Sequence, residues 1–336
     1  MSTGHSVLVL VNPKARGGHA GEHWPELEKS VFDRLGDPAA SVRRAFTSAE
    51  DHGAGVVRQA LKDGIRKILV VGGDGTISEA IQGFFEHGKP VAPDALLMVM
   101  PAGRGDDFLK TLLGHRFFGA AEGWEQALHL LSNGKPRACD VGKINWVTRD
   151  GLQAGSEKYF INIASFGFAG LIVQRVTENS ARHGKTGASR SAWTYLAHSV
   201  STSSEYRPLD LTVRVDGREA YSGLLQTGSI LNGKYNGGGV CWGRETRVDD
   251  GFFDLVLSEP AGLGKMIFSA VPRMISGNWV GAPGVILARG KKVEVRERPG
   301  SQRKHCLFEV DGDLPEPSGC VGADLQIIEG AIRILA

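Results

Sequence analysis

The stretch Val70-Val71-Gly72-Gly73-Asp74-Gly75-Thr76 lies between an apolar run, Lys67–Val71, and a helical pattern that starts near Ile77. Three glycines around one aspartate predict a turn that tolerates positive φ and lets a ligand approach the backbone. The aspartate places a carboxylate at the end of the preceding strand. This combination is typical of a turn beside a nucleotide phosphate, although glycine-rich turns also follow strands for backbone reasons alone.

Short apolar runs alternate with helical patterns on both sides of this turn. Val7–Val11 and Ala95–Met100 are apolar throughout, as in strands covered on both faces, and a glycine-rich loop follows each of them. Pro25 suits the first turn of the first helix. The helical patterns cover 24–35, 56–61, 77–85 and 124–131. Strands alternating with crossover helices predict an α/β domain with a doubly wound, mostly parallel sheet over the first 134 residues.

Three loops follow strands of this predicted sheet, beginning at Asn12, Gly72 and Gly103. Ligands of such sheets bind beyond the carboxyl ends of the strands, so we expect the loops to converge on one nucleotide. Neither a P-loop nor a dinucleotide-binding fingerprint is present, since Gly103-Arg104-Gly105 lacks the third glycine. The predicted phosphate site is therefore of another kind.

The pattern changes from about Lys135 onward, where alternation with a period of two replaces the strand and helix alternation. Examples are Leu209–Val215, before the turn pair Asp216-Gly217, and Lys292–Arg298. Helical patterns interrupt at 189–201 and 262–277. We predict a second domain of mainly antiparallel β-structure. The final strands, predicted at 324–329 and 331–335, are compatible with either domain.

Composition is that of a soluble globular protein, with 41% hydrophobic and 23% charged residues. A chain of 336 residues is long enough for two domains, because single cores stop growing near ~250–300 residues. The net charge of +2 gives no global attraction to nucleic acid, so no such partner is expected. The four cysteines lack C-x-x-C spacing, which favours the reducing cytoplasm. No secretion signal is visible, and no run approaches the ~18 apolar residues of a transmembrane segment.

Taken in order, the motifs resemble those of the diacylglycerol kinase and sphingosine kinase catalytic superfamily of lipid kinases. The matching stretches span nearly the whole chain and are Asn12-Pro13, Gly72–Thr76, Gly103–Phe108, Phe160–Gly167, Asn232–Gly239, Asp250–Asp254 and Asp311-Gly312-Asp313. The resemblance implies an NAD-kinase-like α/β nucleotide-binding domain, residues 1–134 with 321–336, and a β-sandwich-like lipid-binding domain, residues 135–320. It also implies ATP and Mg²⁺ at the cleft between them and a lipid hydroxyl as acceptor.

The resemblance further implies catalytic roles for individual carboxylates. Asp74 and Asp107 match aspartates that serve an Mg²⁺ and water network near the phosphates, and hard oxygen ligands suit that ion. Asp311 matches the general base of a D-G-E motif, in which Asp313 replaces the glutamate. By itself, Asp311-Gly312 favours a hairpin turn over a catalytic base, and only the order and context of the motifs favour the base.

Nucleotide and metal contacts follow from the same resemblance. The nucleotide contacts predicted at these motifs are Asn12, Thr47, Gly72, Gly73, Gly75, Thr76, Gly103, Arg104 and Gly105. Thr47 is also typical of a helix cap. Asp250 and Asp254 match a segment that holds a structural Mg²⁺, and the alternative is an Asp-Gly turn before a strand. The basic segment Arg175–Arg190 suggests either contact with an anionic membrane or a solvated loop.

The chain departs from the family pattern at Gly103-Arg104-Gly105-Asp106-Asp107, where G-T-G-N-D is usual. Arg104 can grip a phosphate, whereas Asp106 repels one unless a cation offsets its charge. Asp313 is one methylene shorter than the usual glutamate. We expect these changes to affect the substrate and the rate more than the fold.

The main hypothesis is an ATP- and Mg²⁺-dependent kinase that phosphorylates a hydroxyl of diacylglycerol or a related lipid. Such an enzyme is expected in the cytoplasm, associating peripherally with a membrane surface when it acts. One alternative is an NAD kinase, which predicts an Asn-Glu pair after the glycine turn, and no such pair follows Thr76. The other is a non-catalytic lipid- or nucleotide-binding regulator, which would not need the carboxylates of Asp74, Asp107 and Asp311.

Overall fold

The structure is a computed structural model that describes residues 6–36, 41–48, 53–103, 105–114, 120–149, 153–182, 206–261, 271–298, 307–315 and 319–336. The chain divides into two compact units. The first comprises Met1–Cys139 and Gly330–Ala336, and the second comprises Asp140–Glu329.

The α-helices in the described residues are α1 (His19–Leu35), α2 (Gly53–Lys62), α3 (Asp74–Gly83), α4 (Asp107–Leu113), α5 (Ala120–Asn133), α6 (Phe168–Arg182) and α7 (Val271–Ser276), and a 3-10 helix covers Ala15–Gly18. The strands are β1 (Val7–Val11), β2 (Val42–Phe46), β3 (Lys67–Gly72), β4 (Phe85–Glu86), β5 (Lys89–Pro90), β6 (Leu96–Pro101), β7 (Pro136–Thr148), β8 (Gln153–Phe160), β9 (Ile163–Gly167), β10 (Leu209–Val215), β11 (Arg218–Leu225), β12 (Thr227–Leu231), β13 (Tyr235–Asn236), β14 (Val240–Cys241), β15 (Phe253–Ser258), β16 (Val285–Gly290), β17 (Lys292–Glu297), β18 (Glu309–Val310) and β19 (Cys320–Leu335).

The first unit is built on a parallel sheet in the order β2-β1-β3-β6, and the end of β19 adds a further parallel strand beside β6. Every residue of β1 is buried. Val9 and Val11 pack with Trp24 of α1 and Trp124 of α5. The opposite face of β1 meets the start of α2, where Leu10 lies against Gly53. Helices therefore cover both faces, which confirms the predicted doubly wound parallel sheet.

Two predicted helix starts in this unit lie too far along the chain. Helix α1 begins at His19, because buried Ala20 already packs against the loop after β1. Pro25 therefore lies inside the helix and not in its first turn. Helix α3 begins at Asp74, directly after Gly73, and not near Ile77. The glycine turn is consequently part of the helix start, and its aspartate occupies the first helical position.

The second unit is built on two antiparallel sheets packed face to face. One has the order β11-β10-β17-β19, with β7 pairing with β19 and β8, and the other has the order β16-β15-β12-β9-β18. A small third sheet pairs β13 with β14. Their inner faces share one hydrophobic core, in which Phe160 stacks on Phe253 and Phe166 packs on Phe308. This architecture confirms the predicted C-terminal β-sandwich, and β10 has the predicted bounds and alternation.

The predictions for the final strands and for the two helical patterns of the second domain have different outcomes. The two final strands are one continuous strand, β19, which passes through the expected break at Gly330. The pattern over 262–277 forms helix α7 at Val271–Ser276, while residues 262–270 and the whole of 189–201 lie outside the described residues.

Candidate functional site

Asn12 and Thr76 connect the first loop of the parallel sheet to the glycine turn. The Asn12 side-chain amide donates to the Thr76 hydroxyl at 2.9 Å, and its oxygen accepts the backbone N–H of Lys14 at 3.0 Å. Thr76 is buried, and a Cβ at Gly72 would lie 2.5 Å from its hydroxyl oxygen. Gly72 therefore has no side chain because Thr76 occupies that space.

The second and third loops touch through their glycines. A Cβ at Gly73 would lie 2.7 Å from the Cα of Gly103, and a Cβ at Gly103 would lie 2.8 Å from the Cα of Gly73. The Ala102 N–H also donates to the Gly72 carbonyl at 2.9 Å. Contact between the two loops is thus sufficient to explain both glycines, whereas no atom of the described residues lies within 4 Å of a Cβ built at Gly75.

Asp74 holds the start of helix α4. One of its carboxylate oxygens accepts the backbone N–H of Asp107 at 3.1 Å, and the other accepts that of Phe108 at 3.0 Å. The carboxylate therefore compensates N–H groups that have no partner within a helix's first turn. Asp107 itself is buried, 3.8 Å from the Lys110 ammonium. The structure thus brings Asp74 and Asp107 together, as the motif order predicts.

Asp106, where the family pattern has an asparagine, precedes α4 in the left-handed backbone region with φ 47°. Its Oδ1 accepts the Gly103 N–H at 3.0 Å, so it closes the third loop on itself. Burial raises the pKa of the Asp106 carboxyl to about 7, and the negative charge of Asp74 adds to the increase, while Gly103 and Lys110 oppose it.

Asp106→Asn is expected to stabilise the protein at high pH. Asparagine tolerates the left-handed conformation and keeps an oxygen for Gly103, but it carries no charge beside Asp74. A carboxyl whose folded pKa is raised contributes stability at low pH and loses it as the pH rises through that pKa, here about 7. In metal-free buffer, the Tm of the variant should exceed that of the wild type at about pH 8, and the gap should shrink towards about pH 5. A gap independent of pH would contradict this account.

The structure gives less geometry for the remaining predicted nucleotide contacts, which are Thr47, Gly105 and Arg104. Thr47 follows β2, and its backbone N–H donates to the Val11 carbonyl at 2.9 Å, which places it at the same strand ends as Asn12. Gly105 is half-buried in the third loop. Arg104, the proposed phosphate contact, lies outside the described residues.

Asp311, the predicted base, lies in the second unit and is held by backbone amides. Its Oδ1 accepts the N–H groups of Asn162 and Ile163, and its Oδ2 accepts that of Ile161, all at 3.0 Å. Asp311, with a φ of 48°, and Gly312, with a φ of 84°, form a tight turn. Across this turn, Val310 and Asp313 exchange two backbone hydrogen bonds of 2.9 Å. The hairpin turn that the sequence offered as one alternative is therefore present, and the role of Asp311 as a general base stays a prediction.

Two buried asparagines beside this turn were not singled out from the sequence as site residues. Asn162 donates its amide to the Tyr235 carbonyl, and Asn232 donates to the carbonyls of Ile161 and Asp140 at 2.7 and 3.0 Å. The side-chain oxygens of both are buried and accept no hydrogen bond from the described residues. Both asparagines lie within stretches that match the family, but spacing alone gives no sign that Asn232 holds the 161–162 segment whose amides bind Asp311.

Arg289 connects the two aspartates predicted to bind a structural metal. Its guanidinium lies 2.6 Å from Asp250 Oδ2 and 3.7 Å from Asp254 Oδ1. Asp140 fixes the same segment by accepting the Gly251 N–H at 2.7 Å. Within the described ranges, no three metal-binding side chains cluster together. Because the Arg289 guanidinium already supplies the positive charge, Asp250 and Asp254 do not fit a magnesium ion in this arrangement. Metal binding by these two residues therefore stays a prediction.

The predicted membrane-facing segment is only partly described. Arg175 is an exposed residue of α6, whereas residues 183–190 lie outside the described ranges. Among the described residues, no helix has the length and apolar character needed to cross a bilayer.

Comparison with known families matches both halves of the chain. Residues 6–144 match the diacylglycerol kinase catalytic domain. Residues 163–336 match the YegS C-terminal NAD kinase beta sandwich-like domain. The two matches occur in the same order as the parallel-sheet unit and the sandwich, and they confirm the resemblance inferred from the motifs.

Individual relatives agree with this assignment. The chain is 24% identical over 271 residues to "Probable lipid kinase YegS-like" of Enterobacter sp. (strain 638), covering 81% of this chain and 80% of the relative. It is 26% identical over 277 residues to a diacylglycerol kinase of Mycobacterium tuberculosis, covering 82% and 78%. A crystal structure of a diacylglycerol kinase from Bacillus anthracis shares the fold, with a TM-score of 0.65 at 17% identity over 98% of this chain and 96% of that one. The chain therefore belongs to the lipid kinase family that joins a diacylglycerol kinase catalytic domain to a YegS-type C-terminal sandwich domain.

Proposed function

We propose that this protein is an ATP- and Mg²⁺-dependent kinase that phosphorylates a hydroxyl group of diacylglycerol or a related lipid. The observation that supports it best is the Asp311 carboxylate, which three backbone N–H groups hold in one orientation. It lies at the motif position where the resemblance predicts the general base. Family membership supports the reaction type, and relatives named as diacylglycerol kinases support a lipid acceptor.

In the proposed reaction, Asp311 accepts the proton of the lipid hydroxyl while the hydroxyl oxygen forms a bond to the γ-phosphorus of ATP. The bond from that phosphorus to the bridging oxygen breaks, and ADP leaves with the electron pair. Asp313, at the end of the same turn, is half-buried and is held through its backbone by Val310. It is proposed to assist at the acceptor side.

The first unit supplies the residues proposed for the nucleotide. Asn12, Thr76, Asp74 and Asp107 offer amide, hydroxyl and carboxylate oxygens, the hard ligands that suit Mg²⁺ and its bound waters. A carboxylate has about four acceptor positions. Asp74 uses two of them for Asp107 and Phe108, so it retains capacity for a metal-bound water. Mg²⁺, when bound, neutralises charge on the phosphates and on the transferring group.

The test is incubation with γ-labelled ATP and Mg²⁺ against diacylglycerol, sphingosine, ceramide and phosphatidylglycerol in mixed micelles, with NAD as a non-lipid acceptor. We expect label in one lipid class and none in NAD. Label in NAD alone would establish the NAD kinase alternative. If ATP or lipid binds but no acceptor is labelled, the protein is a regulator and the proposal fails.

Binding to lipid surfaces is tested separately. As a peripheral enzyme acting from the cytoplasm, the protein should sediment with vesicles containing anionic lipid and remain in the supernatant at high salt, because surface attraction is screened. Equal sedimentation with neutral vesicles would contradict an electrostatic contribution to membrane binding.

A further inference from the structure

A row of buried polar side chains crosses the second sheet of the sandwich beneath Asp311. Ser229 of β12, Ser165 of β9 and Glu309 of β18 are register partners in neighbouring strands. The two serine hydroxyls lie 3.2 Å apart, and Ser165 also hydrogen-bonds to the Glu309 side chain. The flanking residues Phe308 and Val310 point into the sandwich core, so Glu309 lies on the opposite face of its strand.

Glu309 is 1% exposed, and its carboxyl joins two loops. Its Oε2 accepts the Gly312 N–H at 2.9 Å, directly after Asp311, and its Oε1 accepts the Asn236 side-chain amide at 3.1 Å. Asn236 in turn accepts the Gly237 N–H at 2.8 Å. The carboxyl thus connects the Asp311-Gly312 turn to the start of the glycine loop at 237–239.

The turn conformation alone does not require this glutamate. Asp216-Gly217, at the tip of the β10–β11 hairpin, has the same backbone, with φ values of 48° and 78°. Its carboxylate also captures backbone amides, those of Lys291 and Lys292, at 2.9–3.2 Å. Yet the residue two positions before it is Arg214, which is exposed. An Asp-Gly turn of this kind therefore forms without a buried carboxyl two positions before the aspartate.

A buried carboxyl is energetically unfavourable, and this one has a charged neighbour. Burial raises the pKa of Glu309 to about 7, and the charge of Asp311 acts in the same direction, while hydrogen bonds from Gly312, Ser165 and Asn236 oppose it. An apolar or amide side chain would avoid this desolvation. The cost is consistent with a role that depends on two acceptor oxygens at this position.

We propose that Glu309 is a positioning residue that holds the Asp311-Gly312 turn in place for proton transfer, an inference that rests on the proposed kinase function. Glutamate supplies an acceptor to Gly312 and another to Asn236 at the same time. A glutamine at this position has one acceptor and one donor, so it leaves one of the two N–H groups facing another donor. The negative charge of Asp311 also acts on Glu309 and raises the pKa of its carboxyl.

The experiment compares Glu309→Gln with two matched variants at a temperature where all are folded. We expect Glu309→Gln to lower kcat at least about tenfold, with KM for ATP unchanged, and to alter the pH profile of kcat. The double variant Glu309→Gln with Asn236→Asp restores an acceptor for every donor and should recover much of the kcat. Ser229→Ala alters the same polar row without touching the turn, so it should lower Tm but retain kcat.

Backbone amide exchange gives a readout that does not need an active enzyme. In Glu309→Gln, the amides of Gly312 and of 161–163 should exchange several-fold faster, whereas those of Lys291 and Lys292 at the equivalent turn should not change. Wild-type exchange at Gly312 together with wild-type kcat would overturn the inference. If the wild type phosphorylates nothing but Gly312 still loses protection, the kinase proposal fails while the positioning contact is retained.

Discussion

Asp311→Asn is expected to lower kcat for lipid phosphorylation by about 10²–10⁴ while the protein stays folded. Asparagine is one of the few residues that readily adopt the φ of 48° found here, so the turn can be retained. The variant lacks the base, because an amide cannot take the proton of the lipid hydroxyl. One backbone N–H of the three then faces an amide NH₂, which costs about 1–3 kcal/mol of stability.

The control for this variant is Asp216→Asn in the equivalent hairpin turn. It makes the same chemical change at the same backbone conformation, and it also disturbs a carboxylate that accepts backbone amides. A modest decrease in Tm with wild-type kcat is expected. The kcat of each variant is measured with the labelled-ATP assay, and its Tm is measured by calorimetry. If Asp311→Asn retained the wild-type rate, Asp311 would not be the base.

Gly73→Ala is expected to damage both stability and nucleotide binding. The new methyl group would lie 2.7 Å from the Gly103 Cα, where backbone and not a flexible side chain must move. Overpacking of this kind costs about 1–3 kcal/mol. Separating the two loops would also displace Asp74 from the amides of Asp107 and Phe108. We therefore expect a lower Tm and weaker binding of ATP with Mg²⁺, measured by calorimetry.

Gly75→Ala distinguishes packing between loops from approach of the ligand. In the part of the chain that the structure describes, nothing lies within 4 Å of the added methyl group, and the residue is in the first turn of α3. Alanine is favoured over glycine in helices by about 1 kcal/mol, so Tm should rise slightly. If the nucleotide contacts this backbone, ATP affinity should fall even though stability increases. A drop in Tm for Gly75→Ala, or none for Gly73→Ala, would contradict the packing described here.

The sequence predicted secondary structure well where the pattern of apolar residues corresponds directly to the pattern of burial. Strands β3 and β10 were predictable because a continuous apolar run and a strict alternation correspond to burial on two faces and on one face. The starts of α1 and α3 were misplaced because each helix begins within its loop, before the first apolar residue of the pattern. The sequence predicts a break between two strands at Gly330, but β19 passes through it with φ 56°.

The candidate site was predictable only as a set of residues. The order of motifs led to Asp74, Asp107 and Asp311, and the structure supplies their partners. No pattern indicated that Asp74 accepts the amides of Asp107 and Phe108, or that Arg289 lies between Asp250 and Asp254. Glu309 had one weak signal, a carboxylate between two apolar residues of a short strand.

By itself, the sequence determined the fold class, the positions of the glycine-rich loops and the family, because these depend on periodicity and on residue types at fixed local spacing. Only the tertiary structure decided what the residues of the opening stretch do. Gly73 has no side chain because Gly103 lies against it, and Asp74 is oriented by amides 33 and 34 positions away. Such contacts join residues distant along the chain, and their geometry is set by the packing of whole elements and not by local propensity.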